Sequence, residues 1–324
     1  MKKLRVLSLF SGIGAFEEAL NNIGIEFDLV NYCEFNPTVA KAYSLIHNVS
    51  EELNLGDITK VDEHKLSDFD LMTYGFPCQD ISTLGNQQGL FNDNGELTRS
   101  GLFFEAIRIA KHKKPKYLIA ENVRALVSKK MVNDFNQMLN LLDELGYNSY
   151  YQVLNSKDFG VPHSRNRVFI VSIRKDVDTH TFTFPKKQPL LVNASSLYDT
   201  KVDDIYYVSE QHHKYFNEFR LKKKYSSVNA DVIVCMTTKQ GQKSNPQNFV
   251  KDDKGYRILT ANEMMALQGF NRNYGQLLIN NGFTPSQVGF MCGNSITVNV
   301  LEYILKNLFV SECTNKSEQL KWEL

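Results

Sequence analysis

The sequence predicts an α/β fold: a mostly parallel sheet covered by helices, an antiparallel addition to it, and a smaller second domain that is irregular and β-rich. Three observations predict it. Short apolar runs alternate with helical stretches through the first 150 residues, the βαβα order of a parallel sheet. Two strand-like runs then follow one another across a polar loop, at 150–154 and 167–173. Residues 185–284 lose periodicity and carry 14 Lys+Arg against 9 Asp+Glu, an excess of five in a chain whose net charge is +1.

Residues 4–10 read as a buried first strand rather than a signal peptide, since they run straight into a Gly-rich loop with no small-residue cleavage site. Residues 15–22 read as a helix stopped by Gly24. A second strand spans 28–32 and leads to Glu34, and a third spans 69–75 and leads into Pro77-Cys78. Residues 101–111 are helical, with Leu102, Glu105, Ala106 and Ile109 at helical spacing. A strand at 117–120 leads into Glu121, and a helix at 132–145 puts Phe135, Met138, Leu142 and Leu145 on one face before Gly146 ends it. Helical patterning returns at 298–308, so 1–184 and 285–324 are expected to form one domain and 185–284 another.

Composition excludes several classes. At 324 residues the chain suits two domains, or one large unit with an appendage, and needs no disulfide staples. Charged residues at 23% and aromatics at 11% exclude wholesale disorder. No uninterrupted run of about 18 apolar residues occurs, so no membrane span is expected. The five cysteines are odd in number and scattered, with no CxxC or Cys/His cluster, so no metal site and a reducing cytoplasm are expected. A nucleic-acid partner would need local positive charge, because the whole molecule is close to neutral.

Four motifs carry chemistry. Phe10-Ser11-Gly12-Ile13-Gly14-Ala15-Phe16-Glu17 is a Gly-rich strand-to-helix turn that admits a ligand to the backbone. Glu17 stands where a dinucleotide fingerprint wants its third glycine, and a carboxylate there would repel a pyrophosphate. That disfavours a nicotinamide dehydrogenase. Glu34 ends the next strand, where an acid can hold two ribose hydroxyls, and Asp57 can reach an adenine amino group. S-adenosylmethionine meets these demands without phosphates, whereas Gly12 and Gly14 alone fit an empty tight turn equally well. Gly75-Phe76-Pro77-Cys78-Gln79 puts a cysteine in a loop at a strand's C-terminal end, a place for a nucleophile, although most cysteines are buried small hydrophobes. Glu121-Asn122-Val123 puts a candidate general acid at another strand end, where a surface acid or a helix cap is the plainer alternative. Arg165 and Arg167 lie two apart on a strand and can grip a carbonyl or phosphate together, or be solvated edge charges. His163 reads as structural or phosphate-facing. The stretch 82–100 is long for a connector and reads as an active-site lid.

In combination these motifs resemble the DNA (cytosine-5)-methyltransferase family over nearly the whole chain. FSGIGAFE is similar to that family's cofactor loop, GFPCQDIS to its nucleophile loop, ENV to its acid motif and HSRNRVF to its arginine motif. Arg257-Ile258-Leu259-Thr260 with Glu263 and Gln268-Gly269-Phe270 is similar to the motif after the target recognition domain, and Gly293-Asn294-Ser295-Ile296 to the closing cofactor motif. His163 stands where the family often has Gln, and Ala15 where it has a second glycine-like residue. Cys235-Met236-Thr237 falls where the target-reading Thr lies, and is faintly similar to the Cys-Phe-Thr motif of the tRNA-modifying branch.

The resemblance implies a Rossmann-like, S-adenosylmethionine-dependent domain with a target recognition domain at 185–284. It implies Cys78 as nucleophile at cytosine C6, Glu121 at N3, and Arg165 and Arg167 at the O2 edge. It implies a cofactor pocket formed by Phe10, Gly12, Ile13 and Gly14, by Glu34 and Phe35, by Asp57 and Ile58, and by Pro77, Leu102, Asn294 and Ser295. Contacts to double-stranded DNA are expected at Ser82, Gln87, Arg99, Thr237, Thr238, Lys239 and Gln240. A monomer, with a restriction endonuclease acting separately, is the expected context. The rivals are a tRNA methyltransferase of the same fold and a catalytically inactive DNA-binding module.

Overall fold

The structure, a computed structural model, describes residues 3–77, 98–209 and 226–310. Its central sheet has six strands in the order β2-β1-β3-β4-β7-β5. They are β1 (Leu4–Leu9), β2 (Phe27–Cys33), β3 (Leu71–Tyr74), β4 (Tyr117–Val123), β5 (Tyr147–Asn155) and β7 (Asn166–Arg174). β1 pairs parallel with β2 and with β3, and β3 parallel with β4. β7 runs antiparallel to both β4 and β5, the expected antiparallel addition. The order reverses between β1 and β3, and such a switch point opens a crevice at the strands' carboxyl ends.

Neighbouring strand residues feed opposite cores. Val6, Leu71, Ile119 and Val171 face one cluster, and Leu7, Met72, Leu118 and Ile170 the other. This two-sided burial is why the central strands read as continuous apolar runs. Helices α3 (Phe103–Lys113) and α4 (Val132–Glu144) cover the second face through Phe103, Ile109, Phe135 and Met138. Helix α1 (Ala15–Asn22) covers the first through Phe16, Ala19 and Leu20. Helix α2 (Pro37–His47) lacks a periodic signature as clear as theirs. Asn36 starts it by accepting from the Thr38 and Val39 N–H groups, with Pro37 in the first turn.

The basic stretch divides physically. Its strands β8 (Ser227–Val228), β10 (Asn248–Asp252) and β11 (Gly255–Ile258) form a three-stranded sheet over a small cluster that includes Tyr206, Phe249 and Tyr256. A second, two-stranded sheet pairs β6 (His163–Ser164) with β9 (Ile233–Val234). Three helices follow: α5 (Ala261–Ala266), α6 (Asn273–Asn280) and α7 (Pro285–Asn294). Thr260 with Glu263, and Thr284 with Gln287, close capping boxes at the starts of α5 and α7. Met264, Met265, Leu278 and Met291 from these helices share the core of Val6 and Phe16. α8 (Val298–Leu305) packs beside them. Residues 285–310 are long and apolar enough to cross a membrane on length and composition, yet 72% of the most apolar window is buried inside the fold, as in a core helix.

Candidate functional site

A cleft of about 550 Å³ opens at the carboxyl ends of β1 to β4. One half is built around Glu34. The Gly12 N–H donates to its Oε2 at 3.0 Å and the Asn36 N–H to its Oε1 at 2.8 Å. Burial pushes the Glu34 carboxyl pKa up, and these two amides oppose the rise. Each oxygen still has lone-pair capacity for a ligand hydroxyl. Asn54, which sequence reasoning missed, fixes this acid. Its side chain accepts from the Glu34 N–H at 2.9 Å and the Gly56 N–H at 3.0 Å, and donates to the Glu34 carbonyl at 3.0 Å. Asn54 is distant in sequence from both Gly-rich loop and strand, so no local pattern marks it.

Phe35 presents a ring that is 76% exposed at the cleft's edge, open to stacking by a planar ligand. Asp57 lines the wall, its pKa held down chiefly by the Thr59 hydroxyl and amide. Phe10, Gly12, Ile58, Pro77, Leu102 and Asn294 line the same cleft. Ser295 lines a small space beside it. Ile13 does not face the cleft; its side chain is buried in the core. Gly14 packs instead on His47, whose ring leaves no room for a Cβ there.

The residues present fit a nucleoside cofactor. Two carboxylates, an exposed aromatic ring and free backbone suit ribose and adenine. Among the described lining residues the cations are Arg165 and Arg167, and both already donate to protein groups. The carboxylate of Glu17, expected to repel a pyrophosphate, does not line this cleft. Glu17 is 1% exposed and lines a separate cavity with Tyr43 and His47, so it does not decide which cofactor the Gly-rich loop accepts.

The other half of the cleft holds Glu121 at 8% exposure. Antiparallel register sets Glu121 against Phe169 and Val123 against Arg167, so Arg167 lies diagonally across from the acid on the same face. The Arg167 Nε donates to Glu121 Oε1 at 2.9 Å. Burial pushes the Glu121 pKa up, while the charges of Arg167 and Arg165 pull it down. A carboxyl raised in this way keeps its proton to higher pH than an exposed one, as a proton donor requires. Asn122 donates to the Phe76 carbonyl at 3.0 Å, tying the Gly75-Phe76-Pro77 turn to the end of β4. Cys78, Ser82, Gln87, the side chain of Arg99 and residues 82–97 of the lid expected at 82–100 lie outside the described residues.

Arg165 reaches the cleft's edge but its guanidinium is turned into protein. Nη1 donates to the Met236 carbonyl at 3.0 Å, and Nη2 to the carbonyls of Gly293 at 3.0 Å and Ser295 at 2.7 Å. Its terminal donors are thus taken by backbone carbonyls, while its buried Nε has no hydrogen-bond partner among the described residues. Among the residues expected to read DNA, Lys239 is exposed and Thr237 and Thr238 are half-buried. Gln240 is fully buried, and its amide bonds Asn248 through backbone and side chain, which removes it from base reading.

Residues 4–310 match the family model described as C-5 cytosine-specific DNA methylase. An orphan methyltransferase of Bacillus phage rho11s is 46% identical over 177 residues, 55% of this chain and 34% of the relative. The type II methyltransferase M2.ScrFI of Lactococcus lactis subsp. cremoris is 33% identical, across 95% of this chain and 100% of the relative. The chain thus spans about a third of the length of the phage relative and the whole length of the bacterial one. Among solved structures, the S. pombe Dnmt2 methyltransferase superposes with a TM-score of 0.73 at 23% identity, covering 96% of this chain and 99% of that one, a likeness of fold.

Proposed function

The chain belongs to the C-5 cytosine-specific DNA methylase family, and from that premise we propose that it methylates C5 of cytosine at a specific site in double-stranded DNA. The observation that carries this reading is the shared cleft. Glu34 and Phe35 stand at one end of it, and the buried Glu121–Arg167 pair at the other. S-adenosylmethionine, when bound, supplies the methyl group. Glu34 and Phe35 would hold its ribose and adenine, and Asp57 would meet the adenine edge.

The thiolate of Cys78 adds to C6 of a cytosine flipped out of the duplex, which makes C5 nucleophilic. Glu121 donates a proton or hydrogen bond to N3 as charge enters the ring, and Arg167 keeps that acid oriented. Once C5 carries the methyl group, its proton leaves to base and the C6–S bond breaks, restoring the aromatic ring and the thiolate. Residues 185–284 form the target recognition part, with Thr237, Thr238 and Lys239 toward DNA, and 261–284 braced on the catalytic core. We place the enzyme in the cytoplasm as a monomer, with any cognate endonuclease a separate protein.

The test is base-resolution 5-methylcytosine sequencing of plasmid from cells that express the chain, against a Cys78→Ala control. Methylation at one short motif, absent in the control, is the expected result. An unmodified plasmid beside soluble protein overturns the DNA reading. Methylated tRNA in the same cells would assign the RNA branch, and no methylation of either would leave a binding module.

A further inference from the structure

His163 and Arg165 are the two buried polar side chains of the arginine motif that the reaction scheme does not use. Both meet a single peptide. The Met236 N–H donates to His163 Nε2 at 3.0 Å, and the Met236 carbonyl accepts from Arg165 Nη1 at 3.0 Å. The other ring nitrogen of His163, Nδ1, lies 3.0 Å from the Leu267 carbonyl. A carbonyl can only accept, so Nδ1 carries the hydrogen and Nε2 is the bare acceptor that Met236 requires. The ring is thus neutral, in accord with burial and the charge of Arg165 pushing its pKa down.

We infer that His163 and Arg165 are positioning residues that clamp Met236 and so fix the target-reading segment relative to the Glu121–Arg167 pair. The inference rests on the function proposed above. Three alternate residues of one extended stretch divide the task. His163 holds Met236, Arg165 holds Met236 together with Gly293 and Ser295, and Arg167 holds Glu121. Met236 directly precedes Thr237, whose backbone lies against Gly293 so closely that a Cβ on that glycine would fall 2.2 Å from it. β6 pairs with β9 just before Met236, His163 opposite Ile233, which sets the register of the clamp. Side chains 0% and 3% exposed, with these donors and acceptors engaged, are placed to hold the segment rather than to touch DNA.

The test compares His163→Gln, His163→Met and Arg165→Lys in the full chain. It reads kcat, KM for DNA, S-adenosylmethionine affinity, methylation at one-base variants of the cognate site, and exchange of the Met236 amide. Gln can donate to Leu267 and accept from Met236, so it restores both bonds; Met fills the space and makes neither. Expected for His163→Met is a loss in kcat of about 100-fold, raised methylation at variant sites, cofactor affinity within about threefold, and fast Met236 exchange. His163→Gln returns kcat to within about fivefold of the parent and restores slow exchange. His163→Met as fast and selective as the parent, or His163→Gln no better than it, overturns the clamp. Should His163→Met not fold, Arg165→Lys decides from the other side of the same peptide: unchanged kcat and selectivity sink the inference. Amide exchange separates the two claims, since a protein that methylates nothing yet shows Gln-rescued protection at Met236 keeps the clamp and loses the proposed function.

Discussion

Arg167 and Glu121 form their 2.9 Å ion pair across two antiparallel strands, and the pair's geometry is a consequence of register. A slip of one residue in either strand would turn that strand's side chain to the opposite face of the sheet and part the pair. The candidate acid is therefore held within a paired strand of the central sheet, not by a loop.

Glu121→Gln removes the ionisable acid and is expected to lower kcat by 100-fold or so while cofactor binding persists. Its linkage has a definite sign. The folded-state pKa of Glu121 lies above the ordinary 4.5, so the protonated carboxyl favours the folded state. That contribution is complete below the unfolded pKa and is lost as pH rises through the folded one. The melting temperature of the parent relative to Glu121→Gln should fall from pH 4 upward; a difference independent of pH would contradict the raised pKa.

Glu34→Ala leaves the Gly12 and Asn36 amides without their acceptor and removes the ribose partner. Affinity for S-adenosylmethionine should drop tenfold or more, about 1.4 kcal/mol, by calorimetry. Asn54→Ala should weaken binding in the same direction through a misplaced Glu34, although Asn54 does not line the cleft.

Gly293→Ala tests a close crossing of backbones. A Cβ there would sit 2.2 Å from the Thr237 carbonyl carbon, with no flexible side chain to give way. A loss of about 1–3 kcal/mol in denaturant unfolding is expected from overpacking. DNA methylation should suffer more than stability does, because the displaced backbone is Thr237. Wild-type behaviour in both assays would mean the crossing relaxes freely.

Lys239 and Gln240 should separate cleanly. Lys239→Ala removes an exposed charge, so DNA affinity falls and the salt dependence shallows by about one counterion. Gln240→Ala strands the buried Asn248 groups and should cost about 1–3 kcal/mol of stability. Equal salt slopes for parent and Lys239→Ala would remove Lys239 from the DNA face.

The fully buried Arg257–Glu263 pair makes two bonds of 2.8 Å. Glu263→Ala leaves the buried guanidinium with Asp252 alone, 3.4 Å from its Nε, and cuts the α5 capping box, for an expected loss of about 3 kcal/mol by chemical denaturation. A change under 1 kcal/mol would mean that water or another acid replaces it.

What the sequence by itself determined is local chemistry at strand ends. Apolar runs with period-free burial predicted β1, β3 and β4; Glu34 follows β2, and Glu121, expected just past a strand at 117–120, lies inside β4, which runs on to Val123, and the sheet carries both into one cleft. Legibility ended where partners are far apart in the chain. Asn54 bonds Glu34 from 20 residues away, and Arg165 bonds Met236 from 71. Helices 261–280 sit in a polar stretch, yet their methionines fill the main core, since a six-residue helix shows too little periodicity to read. Glu17 and Gln240 pointed the other way: each looked like a site residue by position in a motif, and burial turned each inward. Side-chain direction depends on which face the packed chain covers. Only the tertiary structure decided that Arg167, and not Arg165, would meet the acid.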